Sequence, residues 1–468
     1  MKKLSVLLVL IGSLSFSQNK QVLYGFSEIP QSLLLNPGGK VKYKGYFGFP
    51  LLSHIHVNAG TSGTTVYDLF ADDGIDFNSK LQQAVNRMKP NDFFTLTQQL
   101  ELLSGGFAFG GFKEKNEYLS FGLYQETDFI FYFPKDLAVL ALEGNANNIG
   151  RRFQLNHVNL GGEVLSVFHV GYNKKVNREL TYGVRGKIYS SIANFNSTKN
   201  NGGFVTQPGD NNFYTHIFNL DFALQTSGIS NGDDENSDFS GKDIVKRTLL
   251  GGNLGLGLDV GFTYNLTKQW TFDASLLDVG VIRHSKDIKN YEIKGQYVFE
   301  GINPLFPETR EGQTAEDYWN EIGEAFEDLV DIEETTTKYT TWRPIKFNAS
   351  LNYAFGKQKY DDCDCTRHDE AYMNIIGAQL YVIKRPKQPQ SALTAYYYRR
   401  LFKGLRAKAT YTIDSYSFSN IGLGVSAHLG SLNVYVMADN FLSLKNIYDA
   451  QSASVQLGFN YIFKNNED

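Results

Sequence analysis

Between Asn253 and Tyr264 every second residue is apolar: Leu254, Leu256, Leu258, Val260, Phe262 and Tyr264 alternate with Gly255, Gly257, Asp259, Gly261 and Thr263. A period of two puts the two sets on opposite faces of an extended strand. The glycines raise a second reading, because a phosphate cradle also needs bare backbone. A cradle, however, opens a helix. Here a short polar turn from Asn265 to Lys268 leads instead into renewed alternation at Trp270, Phe272, Ala274 and Leu276. The unit is a hairpin with one greasy face.

The same pattern recurs along the chain. Extended segments are expected over residues 41–49 and 52–59, followed by a polar, partly helical insertion over residues 67–90. Leu119, Phe121 and Leu123 share a face with Phe129, Phe131 and Phe133, and Gln125 and Thr127 interrupt it, which suggests a turn or a rise above lipid. Proline at 134 ahead of Leu137, Leu140 and Ala141 predicts a short helix. A second hairpin pairs Val164, Ser166, Phe168, Val170 and Tyr172 with Leu180, Tyr182, Val184, Gly186 and Ile188. Residues 196–211 and 226–242, rich in Asn, Gly, Asp and Ser, read as exposed loops. A longer break over residues 302–342 contains Ala315, Tyr318, Ile322, Ala325, Phe326 and Leu329 at helical spacing among acidic residues, an amphipathic helix in a loop. Its carboxylates read most simply as a solvated face, with calcium the sharper alternative. Alternation then resumes over residues 345–356, 392–417 and 422–444 and ends with Val455, Leu457, Phe459, Tyr461 and Phe463. Such a last strand is what a cylinder needs to close on its first.

These strands point to a membrane. Lys2 and Lys3, an apolar run from Leu4 to Phe16, and Ser15 and Ser17 read as an export signal over residues 1–17 that a signal peptidase removes. Beyond it, no run approaches the roughly 18 apolar residues that a spanning helix requires. Segments of about ten residues can span instead when they close into a barrel that pairs every backbone group. Half of each strand then faces away from lipid, so a mean hydropathy of −0.30 is compatible with insertion. The 44 glycines, 28 tyrosines and 35 phenylalanines suit such walls.

Other chemistry is sparse. A formal charge of −4 with dispersed basic residues gives no reason to expect a nucleic-acid partner. Cys363 and Cys365, with His368 nearby, could ligate zinc or copper or close a strained disulfide, while the plain reading is a polar loop tip. His54 and His56 share a strand face without a third ligand in sight, as pore-lining or interfacial residues would. No nucleophile elbow, zinc-protease motif or paired-carboxylate signature is present, so neither catalytic residues nor a cofactor is expected.

Four stretches carry a family resemblance: SLLLNPGG at 32–39, GFPLLSHIHVNAG at 48–60, FYFPKDLAVLALEGNANNIG at 131–150 and NVYVMADNFL at 433–442. In this order they resemble an uncharacterised family of Bacteroidota outer-membrane barrels. That family is similar in turn to the porin-like fatty-acid-transporter superfamily, which includes barrel subunits of the type IX secretion system. The resemblance implies an all-β transmembrane antiparallel barrel of about 14 strands, with small helices in its loops and an N-terminal segment that can enter the lumen. On that division residues 1–17 are the signal, 18–40 the lumenal segment and 41–468 the barrel. Asn36, Pro37 and Gly38 stand where the superfamily has an Asn-Pro-Ala motif, and they would gate or line the lumen; read alone, they are an ordinary turn.

The functional expectation is a non-enzymatic, porin-like protein of the outer membrane that passes or binds a small, hydrophobic molecule, with the lipid bilayer as its surroundings. The alternatives are a barrel subunit or plug-like accessory of a type IX secretion or surface apparatus, and an exported soluble β-rich protein.

Overall fold

The computed structural model of the chain describes residues 15–16, 20–110, 116–209, 214–229, 241–299, 331–357, 372–402, 404–446 and 448–463. The segment 20–44 precedes the wall, which begins with β1 (Gly45–Gly48) and β2 (Ile55–Thr61). Helices α1 (Val66–Phe70) and α2 (Phe77–Arg87) follow, each opened by a side-chain cap, from Thr65 and Asp76 respectively. Next come β3 (Phe93–Phe109), β4 (Glu117–Tyr132), α3 (Lys135–Glu143), β5 (Arg152–Gln154), β6 (Asn159–Lys175), β7 (Leu180–Pro208) and β8 (Tyr214–Ser227). After α4 (Gly241–Lys246) run β9 (Asn253–Asn265), β10 (Trp270–His284), β11 (Asn290–Phe299), β12 (Ile332–Thr335), β13 (Tyr339–Trp342) and β14 (Lys346–Lys357). The last six are β15 (Tyr372–Ile383), β16 (Gln390–Arg400), β17 (Leu405–Asp414), β18 (Asn420–Leu429), β19 (Leu432–Ala438) and β20 (Ser452–Phe463).

Antiparallel pairing runs from β3 through β4, β6, β7, β9, β10 and β14 to β20, and β20 pairs with both β1 and β2, which pair back to β3. The result is a closed transmembrane barrel of 14 strands, with β1 and β2 sharing one wall position. Closure leaves no free edge, the condition for a sheet in hydrocarbon. Phe463 stands opposite Gly45, so the final aromatic stripe does seal the cylinder.

Short turns over residues 176–179, 266–269 and 430–431 gather at one end, and α1 to α4 at the other. Along β9, Leu254, Leu256, Leu258 and Val260 are exposed on the outer surface while Asp259, Gly261 and Thr263 are buried inside. Val170, Val184, Ile188, Leu393, Val425 and Val436 continue this apolar belt. Aromatic rings rim it near the short turns, where Trp270 packs on Tyr353 at 5.0 Å and Tyr461 on Phe463 at 5.1 Å, as at a lipid–water boundary.

Three expectations need correction. Residues 196–208 are strand, because the far half of β7 pairs with β8 to start a small sheet with β5, β11 and β12 beyond the barrel. Ladder bonds on both sides there override the Asn- and Gly-rich composition. Within the expected break at 302–342, β12 and β13 are strands, and β13 extends the wall beside β10. Finally, β4 has no turn: Gln125 and Thr127 sit in an unbroken strand, and Thr127 donates to Gln98 at 3.2 Å. The helix expected over residues 315–329, together with Cys363, Cys365 and His368, lies outside the described residues.

Candidate functional site

Inside the wall, large and absent side chains are matched. A Cβ on Gly257 would come 2.2 Å from the Tyr189 hydroxyl, one on Gly377 2.7 Å from that of Tyr396, and one on Gly458 2.6 Å from that of Tyr435. The alternating glycines thus give inward tyrosines, and the segment 20–39, room to lie against the wall.

Val22, Leu23, Phe26 and Ile29 of that segment are fully buried against Tyr398, Tyr435 and Met437. Each such burial is worth about 1.5–3 kcal/mol. A short 3-10 turn over Pro30–Leu34 follows. Polar groups from many strands then hold the backbone. Lys408 donates to the Gln21 and Tyr24 carbonyls at 3.2 and 2.6 Å, and the Val22 amide donates to Asp439 at 2.9 Å. Gln31 and Asn460 exchange two side-chain hydrogen bonds of 2.9 Å, and Gln31 also donates to Glu101 at 2.8 Å. Arg185 donates to the Leu33 carbonyl and, at 3.2 Å, to that of Leu34, while Ser275 donates to that of Leu35 at 2.7 Å.

Asn36, Pro37 and Gly38 form a turn and also press against the wall. The Gly39 amide donates to the Asn36 carbonyl at 2.9 Å, Asn36 donates to the Phe262 carbonyl at 3.3 Å, and Asn173 donates to the Pro37 carbonyl at 2.7 Å. Gly38 meets Gly261 so closely that a Cβ would fall 2.3 Å from its carbonyl oxygen. Glu28 pairs with Lys42 at 2.8 Å and lies 3.6 Å from Arg406. Burial alone would raise its pKa, but these two cations hold it down at about 2.

Beyond the segment lies a girdle of buried charge that sequence reasoning missed. Asp259 lies 3.1 Å from Arg185 and 2.8 Å from Lys187; Asp278 lies 2.6 Å from Lys187 and 2.8 Å from Lys346. Glu126 takes Arg343 at 3.1 Å and Lys346 at 3.0 Å, and Arg343 also pairs with Glu163. Asp128 and Arg385 form a separate pair at 2.8 Å. A register shift where β9 faces β10 places Asp278, at φ 59°, beside Asp259, whose carboxylate accepts its amide at 2.7 Å. The usable signal was parity for Arg185, Lys187 and Asp259, which alternate with outward residues such as Val184, Ile188, Leu258 and Val260 and so had to point inward.

His54 and His56 are both buried inside, with rings 6.4 Å apart and His54 2.7 Å from the Tyr435 hydroxyl. No third ligand joins them, and among the described residues no group of three His, Cys, Asp or Glu is placed to hold a metal. Two small cavities in the lumen measure about 20 and 40 Å³. Lys20, Gln99, Glu126 and Lys346 line both.

A family of unknown function, DUF5723, matches residues 37–439. The chain belongs to that family. A search of curated proteins finds no match. Among solved structures, a toluene transporter of Ralstonia pickettii is similar at 9% identity over 97% of this chain and 99% of that one, with a TM-score of 0.43. A FadL homologue of Pseudomonas aeruginosa is similar at 10% identity over 97% and 100%, with a TM-score of 0.41. A toluene transporter of P. putida follows at 8% over 96% and 93%, with a TM-score of 0.36. The fold of this DUF5723 member rests on its own strand pairing.

Proposed function

We propose that this protein is a porin-like channel of the outer membrane, without catalytic machinery, in which residues 20–39 act as an internal gate over the passage or binding of a small, partly hydrophobic molecule. The observation that carries this reading is the fit of that segment. It is held by hydrogen bonds from seven wall strands, and two lumenal cavities beside it measure only about 20 and 40 Å³, which supports a passage that the docked segment obstructs. The larger cavity is lined by Leu34, Leu35, Leu277, Tyr124 and Tyr381 as well as by charged groups, which suits a molecule with an apolar part. The outer membrane follows from the architecture, since closed barrels with one short-turned end and one long-looped end are the spanning form found there. The alternative of a type IX secretion subunit finds no support in the comparisons.

Planar-bilayer recording tests the gate. The intact chain is expected to be silent or to flicker at low conductance, and a variant lacking residues 20–39 to give large, steady pores. An intact barrel that already conducts as freely as the shortened one would end this reading.

A further inference from the structure

Lys20 heads the lumenal segment and is buried to 8% exposure, yet among the described residues it forms no ion pair. The one acceptor of its ammonium there is the neutral side-chain amide oxygen of Gln99. An ammonium has three donors, so two are left without a protein acceptor. Glu101, buried nearby and accepting hydrogen bonds from Gln31 and Ser104, makes no close ion pair with it among the described residues. Arg185, Lys187, Arg343 and Lys346 are matched one for one by Asp259, Asp278, Glu126 and Glu163, and Arg385 is matched by Asp128. Lys20 is therefore the girdle cation that has no close ion pair among the described residues, and it borders both lumenal cavities.

We propose that these two cavities form one binding site for a compact anionic group, a carboxylate or phosphate, with Lys20 as its principal contact. The proposal rests on the channel reading and narrows its cargo to small organic anions. A buried charge without a partner is unfavourable, and an anion that supplies acceptors removes that cost. Lys346 and Arg385 face the same space and would add positive potential, while Glu126 and Asp128 are already engaged by those cations. The void in this measure holds a few waters at about 10–15 Å³ each, so an anionic head group can enter by displacing them. Leu34, Leu35 and Leu277 beside the larger cavity would meet whatever apolar part the molecule carries. Because Lys20 belongs to the mobile partner of the proposed gate and the other charges to the wall, the bound anion touches both.

The test is calorimetric titration of the full-length, detergent-solubilised barrel with succinate and with inorganic phosphate, using glucose and choline as neutral and cationic controls. One or both anions are expected to bind and the controls not to. Lys20→Met should weaken anion binding at least tenfold while leaving thermal unfolding and protease protection of residues 20–39 in place, and Lys20→Arg should restore most of it. Succinate binding without phosphate binding would mark the site as one for carboxylates, and the reverse as one for phosphates. Equal anion binding by Lys20→Met, tighter choline binding, or no anion binding at all would overturn the proposal. If anions bind through Lys20 but removal of residues 20–39 opens no pore, the channel reading fails and the anion site stands.

Discussion

At the scale of single residues, the lumen is governed by what is missing as much as by what is present. A Cβ on Gly183 would lie 2.0 Å from the Pro37 carbonyl oxygen and 2.8 Å from the Gly38 amide nitrogen. Both are backbone atoms, so no rotamer change can relieve the contact. Valine suits a strand, and Gly183→Val should leave the wall intact while forcing the turn at Asn36 to Gly39 away from it. Brief proteolysis of the folded barrel is expected to cut the segment 20–39 in this variant and spare it in the parent protein. An equally protected variant would show that the turn does not need this contact. The Asn-Pro-Gly tripeptide was legible in the sequence only through a family resemblance, because its partners Asn173, Gly183, Gly261 and Phe262 are far along the chain. Parity marks Arg185 as inward, but neither its ion pair nor the lack of one at Lys20 gave a local signal, since pairing is a property of the assembled girdle.

At the scale of elements, strand identity was legible wherever one face meets lipid and the other does not. Period-two patterning alone located both arms of the β9–β10 hairpin and the closing strand β20, since an apolar face is obligatory there. It failed where neither face meets lipid. The far half of β7, with Lys199, Asn200, Asn201 and Gly202, looks like a loop and is nevertheless a strand between β6 or β5 on one side and β8 on the other. Pairing partners, not composition, decide such a segment. The belt itself can be tested on β9. Leu258 is 46% exposed on the outer surface, in the middle of its strand, and its neighbour Asp259 is fully buried inside. An arginine facing the hydrocarbon centre costs about 2–4 kcal/mol. Leu258→Arg should therefore lower the stability of the barrel by about that amount in reversible denaturant unfolding from lipid vesicles. A change near zero would mean that this part of the wall does not meet hydrocarbon.

At the scale of the whole molecule, closure is the property from which the others follow. The lumen exists because β20 joins β19 to the first wall position, pairing with β19 over Leu432–Ala438, with β2 over Ile55–Gly60 and with β1 over Gly45–Gly48. It also supplies Asn460, the reciprocal partner of Gln31, and Ser454 and Gln456, which donate to Asp439 at 2.7 and 2.9 Å. Asp439 in turn accepts the Val22 amide, so one strand both seals the wall and anchors the lumenal segment. Ending the chain after Gln451 would expose the edges of β19, β2 and β1 at once, and unpaired backbone groups are not tolerated in lipid. The truncated chain is expected to lose the compact, heat-dependent mobility of a closed barrel on unheated gels and to aggregate or be degraded. Loss of the segment alone leaves every wall pairing in place, and that variant should keep the compact form. If the shortened chain instead inserts and migrates as a compact species, an open or differently paired sheet is stable, and the cylinder is not what organises this molecule.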